Sequence, residues 1–262
     1  MLPKTLRLIR HGESQRNLAG YHAWHGNTNL FEEVITRPSS LAPLTDEGVR
    51  QAIETGKWLK KEKITFDRLY VSSMNRAKQT AGLLDIPGAQ WFIENRIRER
   101  SAGVLEDMLP EDREKYHDSI VSAGHMWDPY NFRPDRGESF GDLEVRLRGF
   151  FDTLHRSHAD TVGVVSHGHV MKILEAIIYH MTPEEFTATH GGGVERILNG
   201  MMIEYTRIDP ATNAELLYLG WMRFCTPWKD PHWSPWKEIT RKTYSSTELL
   251  QQIADCRERS GM

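Results

Sequence analysis

The chain predicts an α/β fold: a three-layer α/β/α sandwich with a mostly parallel central sheet and helices on both faces. Three observations lead there. Apolar runs of strand length at 5–9, 66–71, 90–93 and 161–165 alternate with segments of helical period. Such alternation favours parallel strands covered on both sides. These four runs also lead into polar or charged residues, and in parallel sheets ligand sites gather beyond the carboxyl ends of strands.

Taken in order, residues 5–9 run into Arg10, His11 and Gly12, a strand followed by a turn. Residues 18–43 have little period and several Asn, Gly, Ser and Pro residues, which predicts a long and therefore functional loop. Thr45, Asp46 and Glu47 open a helix with a capping hydroxyl and two first-turn acids. Val49, Ala52, Ile53, Gly56 and Leu59 share its inner face. After the strand at 66–71, Ser72 and Ser73 can cap a helix whose inner face carries Ala77, Thr80, Ala81 and Leu84. Residues 90–93 form a short third strand. Residues 111–122 are polar and weakly helical, and 128–137, with two prolines and a glycine, is loop.

Ser139 with Asp142 resembles a capping box, and Phe140, Leu143, Leu147, Phe150 and Leu154 follow at helical spacing. The apolar strand at 161–165 ends at Ser166, His167 and Gly168. Val170, Ile173, Leu174, Ile177 and Met181 form the next helix face. Two late strands are predicted at 201–208 and 215–221, with a turn at 209–213. Residues 226–236 are irregular and rich in Trp and Pro, and 246–259 is a terminal helix. The expected organisation is a single domain over 1–262, with pocket-roofing insertions at 18–43 and 104–136 and a C-terminal extension at 226–262. There is no internal repeat.

Composition narrows the class. With 262 residues and a net charge of −3, the chain shows no basic excess for nucleic acid. Cys225 and Cys256 lie far apart without metal-type spacing, which favours a reducing compartment. The apolar stretch at 162–181 is interrupted by Ser166, His167, His169, Lys172 and Glu175, a poor membrane span. The first ten residues are too short and too charged for a secretory core. The expectation is a cytoplasmic enzyme that engages neither membrane nor nucleic acid. The sequence leaves its oligomeric state unread.

The strand ends carry the chemistry. Neutral imidazole is a good nucleophile toward phosphorus near neutral pH. Arginines supply planar, permanently charged donors for phosphoryl oxygens. A second histidine can donate to the same oxygens, and a carboxyl group can protonate the leaving oxygen. Phosphoryl transfer needs little beyond such positioning and charge compensation. Singly, each residue has a plainer reading: Arg10-His11-Gly12 as an exposed turn, His167 as a buried core histidine, Arg76 as a surface helix residue, and Glu99 as part of a solvated charge run. Their convergence at strand ends favours the functional reading.

The motifs resemble those of the histidine phosphatase superfamily, also called phosphoglycerate mutase-like. The residues are Leu8-Ile-Arg-His-Gly-Glu-Ser14 with Asn17, Leu44-Thr-Asp-Glu-Gly48 with Gln51-Ala52, and Val71-Ser-Ser-Met-Asn-Arg76 with Thr80-Ala81. Glu99-Arg100 with Gly103, Gly137-Glu-Ser139 and Val164-Val-Ser-His-Gly168 follow in order. The resemblance spans residues 5 to about 205 and points to the phosphatase branch. It implies that His11 becomes phosphohistidine, that Arg10, Asn17, Arg76 and His167 bind the phosphoryl group, and that Glu99 is the general acid and later activates water. Glu106 and Asp107 stand nearby as alternatives for the acid. No metal and no organic cofactor are implied, and the partner is a small phosphorylated substrate or phosphate ion.

Other features read more plainly. His169 stands where mutases of the family often have Asn. The run Gly191-Gly-Gly193 lacks a P-loop lysine and reads as loop. His22, His25 and the His167/His169 pair lack the acids or cysteines of a metal site. Trp221, Trp228, Trp233 and Trp236 suggest packing. Mixed-charge residues, Arg37, His22 and His25 in one roof and Arg133 and Arg136 in the other, are expected to line the pocket. The expected function is a metal-independent phosphomonoester hydrolase. The alternatives are a cofactor-dependent phosphoglycerate mutase, a non-catalytic binding protein on the same fold and, weakest, a metal-dependent hydrolase.

Overall fold

The computed structural model describes residues 1–122, 128–190 and 197–260, with backbone alone at 121–122 and 255–260. The glycine run at 191–193 and the side chain of Cys256 lie outside the described residues. Seven described strands form one sheet in the order β3-β2-β4-β1-β5-β6-β7. They are β1 (Thr5–Arg10), β2 (Arg68–Ser72), β3 (Trp91–Glu94), β4 (Thr161–Ser166), β5 (Met202–Thr206), β6 (Trp221–Cys225) and β7 (Lys237–Glu238). β3, β2, β4 and β1 are parallel; β5, β6 and β7 continue antiparallel.

Nine helices are described: α1 (Gln15–Trp24), α2 (Asn29–Ile35), α3 (Asp46–Lys61), α4 (Asn75–Leu83), α5 (Pro110–Ser122), α6 (Phe140–Arg156), α7 (Gly168–Tyr179), α8 (Pro183–His190) and α9 (Ser246–Ser260). Alternation along the strands sends side chains to opposite faces of the sheet. Leu6, Leu8, Val162 and Val164 meet Leu143, Leu147, Phe150 and Leu154 of α6 and Val170, Ile173 and Leu174 of α7 in one core. Ile9, Val71 and Val165 meet Trp58 and Leu59 of α3 and Ala77 and Ala81 of α4, with Leu84 just beyond it, in the other. These two cores make the three expected layers.

The helix caps follow the sequence. Thr45 accepts the Gly48 N–H at the head of α3, and Ser139 and Asp142 form the capping box of α6.

Several expectations need correction. Residues 18–43 hold most of α1, all of α2 and a 3-10 turn at Ser39–Leu41. Ala19 and Ala23 pack there on Phe31 and Val34 in a small core of their own. Met74, not Ser72 or Ser73, is the N-cap of α4, and it makes no side-chain cap bond. Ile53 is exposed, while Thr55 and Trp58 are buried. Met181 lies beyond the end of α7, partly buried against the first core. The last full strand is Trp221–Cys225 rather than 215–221, because it pairs Cys225 with Met202 and Trp221 with Thr206; only a bridge joins Ile208 to Glu215. The C-terminal extension contributes β7 as well as α9.

Candidate active site

The register of the parallel strands assembles the site. Arg10 at the end of β1 lies opposite Ser166 at the end of β4, so the next residues, His11 and His167, emerge side by side. Their ring centroids are 5.0 Å apart at 61°. Ser72 ends β2 next to them, and its hydroxyl lies 2.7 Å from His167 Nε2.

The loop after β1 is pressed against the head of α3. A Cβ on Gly12 would sit 2.3 Å from the Gly48 carbonyl oxygen, and one on Gly48 would sit 1.9 Å from that of Glu13. Both positions need glycine so that two backbones can meet. Glu13 N–H donates to Gln51 Oε1 at 2.9 Å, Thr45 N–H to the Glu13 carbonyl at 3.0 Å, and Gly12 N–H to Thr80 Oγ1 at 3.0 Å.

That packing sets the protonation of His11. Its Nδ1 lies 2.6 Å from the Gly12 carbonyl oxygen. A carbonyl can only accept, so Nδ1 carries the proton and Nε2 keeps its lone pair. Arg76 Nε–H donates to that Nε2 at 3.1 Å. Burial, then His167, Arg76 and Arg10, hold His11 well below the ordinary imidazole range, so the ring is neutral at neutral pH.

His167 is fully buried and also held well below that range, by burial first and by Arg76 next. Ser72 Oγ accepts the Met74 N–H at 3.3 Å, so its own hydroxyl hydrogen can turn to His167 Nε2. The remaining ring nitrogen, Nδ1, is buried without a hydrogen-bond partner among the described residues. In this tautomer it is a donor awaiting an acceptor.

Arg10 donates from Nη1 to the Ile197 carbonyl and lies beside Gly168, the first residue of α7. Arg76, in the first turn of α4, is buried and donates from Nη1 to the Ser39 carbonyl at 2.8 Å. Asn17 lies in α1, and its Oδ1 takes the N–H and hydroxyl of Ser14 at 3.1 and 2.9 Å.

Glu99 follows the short 3-10 turn after β3. Its carboxylate lies 3.6 Å from His169 Nδ1 and accepts the Arg100 N–H at 3.0 Å. Burial pushes its pKa up, but His169, His167 and Arg76 outweigh that and hold it well below the usual carboxylate range. Glu106 accepts from Ser101 Oγ and Ala102 N–H at 3.3 and 3.1 Å, and both Glu99 and Glu106 act electrostatically on Arg76. Asp107 pairs with Arg16 and is mostly exposed.

Other contacts escaped the sequence reading. Glu138 accepts from Arg98, Ser101 N–H and Arg146, and Arg146 also donates to the Glu99 carbonyl at 3.2 Å. This places the Gly137-Glu-Ser139 motif under the Glu99 segment. Asn199 Nδ2 donates to the His11 carbonyl at 3.0 Å. Ser72 and Thr80 lie inside the motifs at 71–76 and 80–81, and Asn199 precedes Gly200 in a turn-forming pair; these are their signals in the sequence. Of the expected roof residues, Arg37, His25, Arg133 and Arg136 are exposed, and Arg133 pairs with Asp142. Arg16 on α1 and Arg113 on α5 are less exposed, donating to the carbonyls of Glu106 and Met108 at 3.1 Å each. His22 and His25 join no metal set: among the described residues no three His, Cys, Asp or Glu side chains cluster as around a metal ion. No helix there is long and apolar enough to cross a membrane. The tryptophans pack, with Trp233 against Trp58 and the guanidinium of Arg223 over both Trp233 and Trp236.

Two histidines and two arginines thus converge at the carboxyl ends of the parallel strands. The chain belongs to the Histidine phosphatase superfamily (branch 1), whose pattern matches residues 6–196. It is 31% identical over 183 residues to a 6-phosphofructo-2-kinase/fructose-2,6-bisphosphatase of Aquarana catesbeiana, covering 70% of this chain and 34% of that one. The chain thus spans about a third of the length of these bifunctional relatives. It is 29% identical over 191 residues to a 2,3-bisphosphoglycerate-dependent phosphoglycerate mutase of Bartonella bacilliformis, covering 70% of this chain and 84% of that one. The alpha-ribazole phosphatase of Shigella flexneri superposes with a TM-score of 0.61 at 26% identity, over 82% of this chain and 95% of that one.

Proposed function

We propose that the protein is a metal-independent phosphomonoester hydrolase that works through a phosphohistidine on His11. The observation that carries this reading is the fixed tautomer of a neutral, buried His11, with its Nε2 lone pair beside Arg76. The Nε2 lone pair attacks phosphorus while the bond to the leaving oxygen breaks. Arg10, Arg76 and the Nδ1–H of His167 hold the non-bridging oxygens, and the Asn17 amide assists. Nδ1 of His11 keeps its proton throughout, so the phosphorylated ring is cationic and the Gly12 carbonyl stabilises it.

Glu99 gives a proton to the leaving oxygen, then takes one from the water that attacks the phosphohistidine. Held well below the usual carboxylate range, it is ionised before it meets substrate. A phosphoryl monoanion therefore brings the proton in, and its charge offsets the pull of Arg76 and His169. Glu106 is the alternative acid; the nearness of Glu99 to His167 and His169 favours Glu99. Cys225, buried and in no disulfide among the described residues, fits a reducing cytoplasmic setting.

A mutase is the second reading, favoured by the likeness to the Bartonella enzyme. The roof between Glu99 and Gly137 argues against it. Its two ends are stapled together by Val104 N–H on the Asp135 carbonyl at 3.0 Å and Glu138 N–H on the Ser101 carbonyl at 2.8 Å. A short roof leaves the phosphohistidine open to water. The test is a coupled assay with the bisphosphorylated primer present. Release of inorganic phosphate should far exceed interconversion of 2- and 3-phosphoglycerate; the opposite ratio makes the protein a mutase.

A further inference from the structure

We propose that Trp228, in the C-terminal extension, is a positioning residue for His11 and Asn17 that acts through Asn199. The proposal rests on the phosphoryl-transfer reading above. Trp228, Asn199 and Gly200 all lie beyond the family match at 6–196.

The contacts form a continuous chain. The indole Nε1–H of Trp228 donates to the Asn199 carbonyl at 2.7 Å. The Asn199 Nδ2 group donates to the His11 carbonyl at 3.0 Å and to Asn17 Oδ1 at 3.3 Å. Gly200 N–H donates to the Arg10 carbonyl at 3.1 Å. One turn therefore holds the backbone of Arg10 and His11 and the side chain of Asn17, and the indole holds that turn.

The seat for the indole is built. Gly200 has φ +70, and a Cβ there would lie 2.8 Å from Cδ1 and 2.9 Å from Nε1 of Trp228. Glycine serves both the left-handed backbone and the close approach. The guanidinium of Arg50, on α3, lies 5.4 Å from the centre of the indole ring. Trp228 itself sits in a turn closed by Lys229 N–H and Asp230 N–H on the Thr226 carbonyl, both 2.8 Å. Trp58 Nε1–H anchors the following residues through the Pro231 carbonyl at 2.8 Å.

The consequence for chemistry lies at Asn17. The Ser14 N–H can only donate, so the atom it meets is Oδ1. Asn199 adds a further donor to the same oxygen. The amide is locked with its oxygen spent, and its NH2 is left to donate to a phosphoryl oxygen. Loss of the indole N–H frees the Asn199 turn and loosens both Asn17 and the His11 carbonyl.

The test compares Trp228→Phe, Asn199→Ala, the double variant and Trp236→Phe. Trp228→Phe keeps an aromatic ring and removes the donor. Each is read by orthovanadate affinity in calorimetry, by kcat and KM on para-nitrophenyl phosphate, and by Tm. Trp228→Phe should weaken orthovanadate binding and lower kcat/KM by roughly two- to tenfold, the reach of one neutral hydrogen bond. Asn199→Ala should lose at least as much, and the double variant clearly less than the product of the two single losses, because both act through the same turn. Trp236→Phe, stacked on Arg223, should match the parent. Parental affinity and turnover in Trp228→Phe overturn the proposal, as does a lowered Tm with unchanged orthovanadate affinity, or losses that multiply in the double variant. If the parent protein neither binds orthovanadate nor turns over a phosphomonoester, the phosphatase reading itself fails. If it does both and Trp228→Phe is unaltered, only the role of Trp228 fails.

Discussion

The Nε–H of Arg76 points at the Nε2 of His11 from 3.1 Å. A guanidinium cannot share its proton with a neutral imidazole nitrogen and also leave that nitrogen free to attack. On the proposed mechanism, Arg76 turns its planar fork of donors from His11 to the phosphoryl oxygens when substrate enters.

This sets the first prediction. Arg76→Lys keeps the charge but loses the fork. Charge-assisted bonds to a phosphoryl group are the strong ones. A loss on the order of 10²-fold in kcat/KM is expected, and turnover of para-nitrophenyl phosphate measures it. A loss below about threefold, less than a single charge-assisted bond is worth, would mean that Arg76 serves only to pack against His11.

The second concerns Glu99. Protonation of the leaving group matters most when that group is poor. Glu99→Gln should slow an alkyl phosphate by at least about tenfold more than para-nitrophenyl phosphate. Equal losses on the two substrates move the role elsewhere, and Glu106→Gln is then the variant to measure.

The third is a stability measurement. His11, His167 and His190 are held below the ordinary imidazole range, His190 at about 4, by burial above all. Unfolded, they titrate near 6.5. As pH falls through about 6.5 the unfolded chain takes up protons that the folded chain refuses, so folding stability declines. Tm should fall between about pH 7 and pH 5, above the window in which carboxylates titrate. His190→Gln should flatten the slope. A Tm that stays level or rises over that range contradicts the buried neutral state.

A fourth prediction concerns metals. Arginines can neutralise the phosphoryl charge in place of a divalent ion. Turnover should survive exhaustive chelation. Loss with EDTA that a divalent ion restores would count against the mechanism.

Much of the site was legible because it lies at the ends of apolar strands. Arg10, His11 and His167 each follow such a run, and Arg76 sits one turn after another. The three layers were legible from the alternation of Leu6 and Leu8 with Ile9, and from the helical spacing of Leu143, Leu147 and Phe150. What escaped was set by distant partners. Helices α1 and α2 show little periodicity because their buried face is only Ala19, Ala23, Phe31 and Val34, and those residues cover one another. The strand at Trp221–Cys225 was displaced because 215–221 carries a similar apolar content, and only pairing with Met202–Thr206 sets the register. Asn199 lies far along the chain from His11, with no local signal of the bond between them.

The most direct measurement is a trap of the intermediate. Protein mixed with a 32P-labelled phosphomonoester and quenched on the millisecond scale should carry label that is lost in acid and kept in base, and peptide mapping should place it on His11. His11→Ala should carry none and lose nearly all turnover. Label on another residue, or near-parental turnover in His11→Ala, would contradict phosphohistidine catalysis at this site.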